Sequence, residues 1–273
     1  MAELLSYRLG SFLLFSASTY QRLVANLNAD LWPLQGLVLV GMLALLWANG
    51  LLRWPSRRNE PKGPNATTQA THEPASDVAA ITNPWRHRCL WAALALAWAA
   101  SAGYFLIQRF VAINWAAEYL AWAMALQALA WCVAAFLPQR MGFGWRAGPD
   151  PTDPAPDPWG LLLVTIGLLL YPLISADWGQ DWSQAHSLGL LPEPTAITSL
   201  GLLLLARRPP WWLWPLPLMV CLWSGLWLWA LEAPAAWLAP AAAVLALGRA
   251  GSSWFRRTRK PLPAARAKPS TDR

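Results

Sequence analysis

The side chains best suited to chemistry fall in one short stretch, Asp177, Asp181, His186 and Glu193, three carboxylates around one imidazole. Carboxylates with an imidazole suit a cation or a metal. The spacing matches no defined metal site, so two readings stand, a ligand- or substrate-handling cluster and an ordinary acid-rich outer face. A second set lies within apolar runs. Glu118 is an ionisable residue inside such a run; it is either a buried proton or cation site, or a helix-start acid favoured by the helix dipole and capped by Asn114. Thr195, Thr198 and Ser199 share one helical face, and Gln127 stands alone in its run. These polar groups, like Gln35 and Thr165, serve either a solute pathway or bonding between helices. No nucleophile with base and acid, phosphate-cradling loop, HExxH or GxSxG occurs, which argues against a familiar hydrolase or ATPase.

The elements that must position these groups are long apolar blocks. Of 273 residues, 56% are hydrophobic and 13% charged, and the apolar residues come in runs rather than at every third or fourth position, the pattern of a membrane protein. A helix needs roughly 20 apolar residues to cross the hydrocarbon core. Seven runs approach that length, at 31–52, 90–107, 115–137, 159–175, 190–206, 211–231 and a short one at 235–247. The expected fold is all-α, a polytopic bundle of about seven transmembrane helices over residues 31–247. Residues 1–30 mix apolar and polar positions and read as an interfacial amphipathic helix at the surface.

Placing Met1 outside puts 18 of the 21 Lys and Arg in the inward-facing links and tail, leaving Arg8, Arg22 and Arg109 outside. Cytoplasmic links carry such an excess, so the orientation is N-out and C-in, in a bacterial inner membrane. The net charge of +7 is then a topology signal, and nucleic acid is not an expected partner. The Pro-, Thr- and Asn-rich link 55–84 is expected to be disordered. The basic tail 248–273 is expected to lie in the cytoplasm against anionic lipid of the bilayer. His72 and His87 lie in or beside links as solvated side chains, and Cys89, Cys132 and Cys221 are isolated, which leaves no metal or cofactor to assign.

Small residues recur every fourth position at Ala95, Ala99 and Gly103 and again at Ala117, Ala121 and Ala125. Such ladders let helices approach closely, so the second and third spans should pack as an antiparallel pair. Pro215 and Pro217 should distort the start of the sixth span.

Three stretches resemble one family. NLNADLWPLQ at 26–35, INWAAEYLAWAMALQAL at 113–129, and GLLLYPLIS followed by PEPTAITSLGLLLLA are similar to the uncharacterised bacterial multi-pass membrane family catalogued as domain of unknown function 6064. The resemblance runs through most of 26–247. The family pattern implies a His near Gln180 and a Cys where Glu193 stands, so thiol or imidazole chemistry does not carry over to this chain. Relatives labelled permease imply small-solute transport or sensing without enzymatic activity. A non-catalytic membrane scaffold or assembly subunit is the alternative, and an enzyme embedded at the outer face, acting through Asp177, Asp181 or His186, is a third.

Overall fold

A computed structural model describes residues 15–51, 84–136, 157–179, 182–206 and 209–258. Among these the chain is helical, with one isolated bridge between Leu188 and Leu191 and no strand. The link expected at 55–84 lies, Pro84 apart, outside the described residues, as do residues 1–14 and the end of the tail from 259.

Eight helices follow one another. Helix α1 (Ala17–Asp30) starts where the Ser16 hydroxyl accepts from the Thr19 amide, an N-cap that satisfies one of the orphan amides of the first turn. It breaks at Trp32–Pro33, a cis peptide, and α2 (Leu34–Ala48) leaves at 76° to it. Helix α3 runs from Pro84 to Ala100 and continues, π-wound, from Ser101 to Phe110. Helix α4 is Ala117–Phe136. Helix α5 comprises Pro158–Thr165, a π-wound turn Ile166–Leu170, and Tyr171–Gly179. Then come α6 (Pro192–Leu205), α7 (Pro215–Ala230) and α8 (Leu238–Thr258). By length and composition, four of these stretches can cross a membrane, Trp85–Phe110, Ala117–Phe136, Pro158–Ala176 and Trp211–Ala230, and a fifth if α1 and α2 form one broken span. Two runs expected as spans have an apolar helical part shorter than a span: α6 has 14 residues, and the apolar part of α8 covers Leu238–Ser252.

Helix α6 is the axis of the bundle. Every described side chain from Pro192 to Leu203 is buried, with α5, α7, α8 and α3 packed around it. Its C-terminal half is apolar on all sides, and the polar Glu193, Thr195, Thr198 and Ser199 of its first half are enclosed as well. The outward sides of the other helices carry Leu37, Val40, Leu96, Trp122, Leu126, Leu129, Met219, Leu226 and Val244, all exposed. An apolar belt of that extent has no place on a water-soluble monomer and fits a protein that faces lipid.

The contact of α5 with α6 is made by glycines. A β-carbon at Gly201 would stand 2.7 Å from the Val164 amide nitrogen and 2.8 Å from the Gly160 carbonyl oxygen, and one at Gly167 would stand 2.9 Å from the Pro194 carbonyl oxygen. The two backbones touch, as small residues allow between membrane helices. Helices α3 and α4 do pack against each other, with Ala95, Ala117 and Ala121 buried, while Ala99 faces outward. Between them Trp91 stacks on Trp131 with ring centroids 5.0 Å apart. Pro215 and Pro217 do not distort α7. The helix begins at Pro215, after a 3₁₀ turn at Trp211–Leu213, where a missing amide donor costs nothing.

Candidate functional site

The register of α5 against α6 places the site. Pro194 is level with Gly167, and Gly201 with Gly160 and Val164, so α6 begins beside Tyr171. That point is about 20 Å from the Pro158 end of α5 and about 12 Å from its Gly179 end, at about 1.5 Å per residue. The chain therefore turns back after α5 and descends alongside it before α6 can start, the described residues of the link holding no helix apart from one turn at Trp182–Gln184. The descending link is buried from Ala185 on, apart from the half-buried Ser187. At its lowest point Gly189, with φ of +80°, lies against Ala97, midway along α3. A residue with a β-carbon rarely adopts that φ.

Irregular backbone inside a packed interior needs partners for its amides and carbonyls, and side chains supply them. Asn28 of α1 donates to the carbonyls of Ser183 (2.6 Å) and Ala185 (2.9 Å), and its own carbonyl accepts from Gln35 of α2 at 2.8 Å. The Ser175 hydroxyl accepts from the His186 amide at 2.7 Å and donates to the Tyr171 carbonyl at 2.8 Å. The Thr195 hydroxyl accepts from the Gly189 amide at 2.9 Å and donates to the Leu191 carbonyl at 2.7 Å.

The link delivers His186 to the start of α6, where its Nδ1 lies 3.8 Å from Glu193 Oε2. Both residues are almost wholly enclosed, 2% and 3% exposed. That separation is too long for a direct hydrogen bond. The Ser224 hydroxyl of α7 bonds the Glu193 carboxyl, yet Oε2 has no hydrogen-bond partner, and neither has the Tyr171 hydroxyl. Tyr20, Tyr171 and Cys221 all lie within electrostatic reach of the carboxyl. Tyr20 meets the His186 ring edge-on at 5.9 Å, and Tyr171 lies 6.0 Å from it on another side. Phe105, Phe110 and Trp227 pack behind Tyr20. The His186 imidazole belongs to the irregular link rather than to a helix.

The residues singled out from sequence thus separate. His186 and Glu193 come together. Asp177 lies in the last part of α5, where only the backbone is described, and Asp181 lies outside the described residues. Glu118 is exposed in the first turn of α4, where the Asn114 side chain accepts from the Ala116 amide at 3.1 Å; this is the geometry of a helix start. Ser199 accepts from Trp98 Nε1 at 2.8 Å and donates to the Thr195 carbonyl at 2.7 Å, so it ties α3 to α6. Thr198 is buried against Gly167, its hydroxyl unpartnered. Gln127 donates to the Leu213 carbonyl at 3.3 Å, and its own carbonyl oxygen is buried without a partner. Among the described residues no third His, Cys, Asp or Glu completes a metal-binding group.

Residues 76–260, well over half of the chain, match DUF6064, a family of unknown function. The chain belongs to that family. No curated protein and no solved structure matches it. The DUF6064 match spans His186, Glu193, Tyr171 and Ser224 and stops short of α1, so in this DUF6064 protein Tyr20 and Asn28 reach the site from outside the matched region. Sequence reasoning missed Tyr20, Tyr171, Ser175 and Ser224 as site residues, although Asn28, Gln35 and Tyr171 stand within the quoted family-like stretches.

Proposed function

We propose that this protein is a permease-like integral membrane protein that moves or senses a small solute at the buried His186–Glu193 site. One observation carries the reading: an irregular link enters halfway along the bundle and ends at a short, enclosed helix whose first turn holds Glu193. In a bilayer such backbone is tolerated at membrane depth only where protein encloses it or it lines a cavity. Transporters place solute and ion sites at the ends of interrupted helices near the midplane. The basic residues outside the described helices support a bacterial inner membrane and the N-out, C-in orientation.

Two measurements test this. With the native cysteines replaced, an impermeant thiol reagent applied from outside should label Trp182→Cys and spare Ser252→Cys. In reconstituted vesicles tested against sodium, potassium, ammonium and small neutral solutes, Glu193→Gln should abolish whatever flux the protein supports, and Glu118→Gln should retain it. Absence of flux for the whole panel, with a stoichiometric partner copurifying, would establish the scaffold alternative instead.

A further inference from the structure

Glu193 is a buried acid with an unfinished set of partners. One side of its carboxyl is held by Ser224, while Oε2 has no hydrogen bond. A buried carboxylate is stable only when paired, and otherwise it takes up a proton. No Lys or Arg among the described residues does the pairing. Arg109 bonds Asp30, Arg249 bonds Asp157 at 2.7 Å, and Arg86 donates to the Ala48 carbonyl at 3.0 Å. The titratable groups facing Glu193 are Tyr20 from α1, Tyr171 from α5, Cys221 from α7 and His186 from the link. The tyrosines and the cysteine carry no positive charge in any state, and His186 Nδ1, 3.8 Å away, is too far to hydrogen-bond the carboxyl. From α3 the polar contact to α6 is Trp98 to Ser199, which does not titrate.

We infer that Glu193 is an exchange site, at which a small monovalent cation of the alkali-metal or ammonium class replaces a proton. This rests on the solute-binding reading above and names its ligand class. The oxygens on hand are Glu193 Oε2 and the Tyr171 hydroxyl, both buried without a hydrogen-bond partner and within electrostatic reach of each other, and the Ser224 hydroxyl on the same carboxyl. Oxygen ligands suit a hard cation, and the Tyr20 and Tyr171 rings suit an ammonium ion. A single carboxylate selects for valence: a monovalent ion leaves the buried site neutral, whereas a divalent one leaves an uncompensated charge. The start of α6 carries the positive end of the helix dipole, which stabilises the bare carboxylate and weakens its hold on a cation. The site therefore releases what it binds. In the exchange the Glu193 O–H bond breaks, the proton leaves to solvent, and the cation takes its place against the carboxylate, so charge is conserved.

The test uses the purified full-length chain in lipid nanodiscs, weakly buffered, with a pH indicator and additions of sodium, potassium or ammonium chloride against choline chloride at equal ionic strength. Across the range where the carboxyl titrates, at least one salt should release up to about one proton per chain. Glu118→Gln should release as much, and Glu193→Gln none. Glu193→Asp, which keeps the acid on a shorter arm, should retain release at a tenfold or higher salt concentration, and it serves if Glu193→Gln does not fold. Equal release with choline, or equal release from Glu193→Gln, overturns the inference. If no cation is taken up but Glu193→Gln loses flux of a neutral solute, the cation class falls and the solute site stands; if neither cation uptake nor flux responds, both fall.

Discussion

Helices α3 and α4 and helices α5 and α6 form two couples of apolar helices, built in different ways. The first couple is joined by large side chains, with Trp91 stacked on Trp131 across the contact, and its outer faces are open to the surroundings, as Leu96, Trp122 and Leu129 show. The second couple is joined backbone to backbone through Gly160, Gly167 and Gly201, and one member is enclosed completely. Side-chain packing can adjust to a change, whereas a backbone contact cannot. The difference teaches where this bundle spends its polar groups: the adjustable couple buries Ser101 and Gln127, and the rigid couple buries a longer set that frames the acid.

The sharpest way to break this contrast is to add carbon to each couple. Gly201→Val drives a side chain into the Val164 and Gly160 backbone, and no folded, monodisperse protein should be recovered. Gly103→Ala, with nothing within 4 Å of the new carbon, should leave thermal stability unchanged or slightly raised, since helix propensity alone favours it by at most about 1 kcal/mol. Equal tolerance at both sites would dissolve the distinction. Truncating Trp131 to Ala removes the stack and opens a cavity, with an expected loss of about 3–5 kcal/mol in a denaturant titration. Removing the Asn28 amide by Asn28→Ala leaves the Ser183 and Ala185 carbonyls without their donor, for about 1–3 kcal/mol; hydrogen exchange should rise in the descending link before it rises in α4. Glu118→Gln, at an exposed helix start, should change stability by no more than about 0.5 kcal/mol.

The two couples also differ in how far they could be read from sequence. The α3–α4 pair was legible, because its apolar runs are long and its small residues recur at a fixed interval. The extent of α6 was not. LPEPTAITSLGLLLLA has the composition of a span, and nothing in composition tells a helix that begins at a surface from one that begins halfway down. That depth is set by the register of Gly167 against Pro194 and Thr198, a contact between segments far apart in sequence. For the same reason His186 and Glu193 read as groups on an outer face, although the link that bears His186 descends into the interior and α6, which bears Glu193, starts there. Their pairing was half legible, since both were picked out by chemical type, but Tyr20, Tyr171 and Ser224 come from three other helices and carry no local signal. The LWP and LYPL stretches did carry information of another kind, for Asn28 and Gln35 beside the first bind the link in place.

The enclosure of α6 also sets an order for making the protein. Two of its walls, α3 and α5, are synthesised before it, and two, α7 and α8, after it. While α6 is the newest helix, one flank has no protein neighbour, and Glu193 still lacks Ser224, which arrives on α7. A short helix bearing an unmatched acid is a poor passenger for lipid, so it must stay sheltered until the last two helices close over it. The glycine seam with α5 is what can hold it there during synthesis, which makes that seam a handle for assembly as well as a contact in the finished bundle.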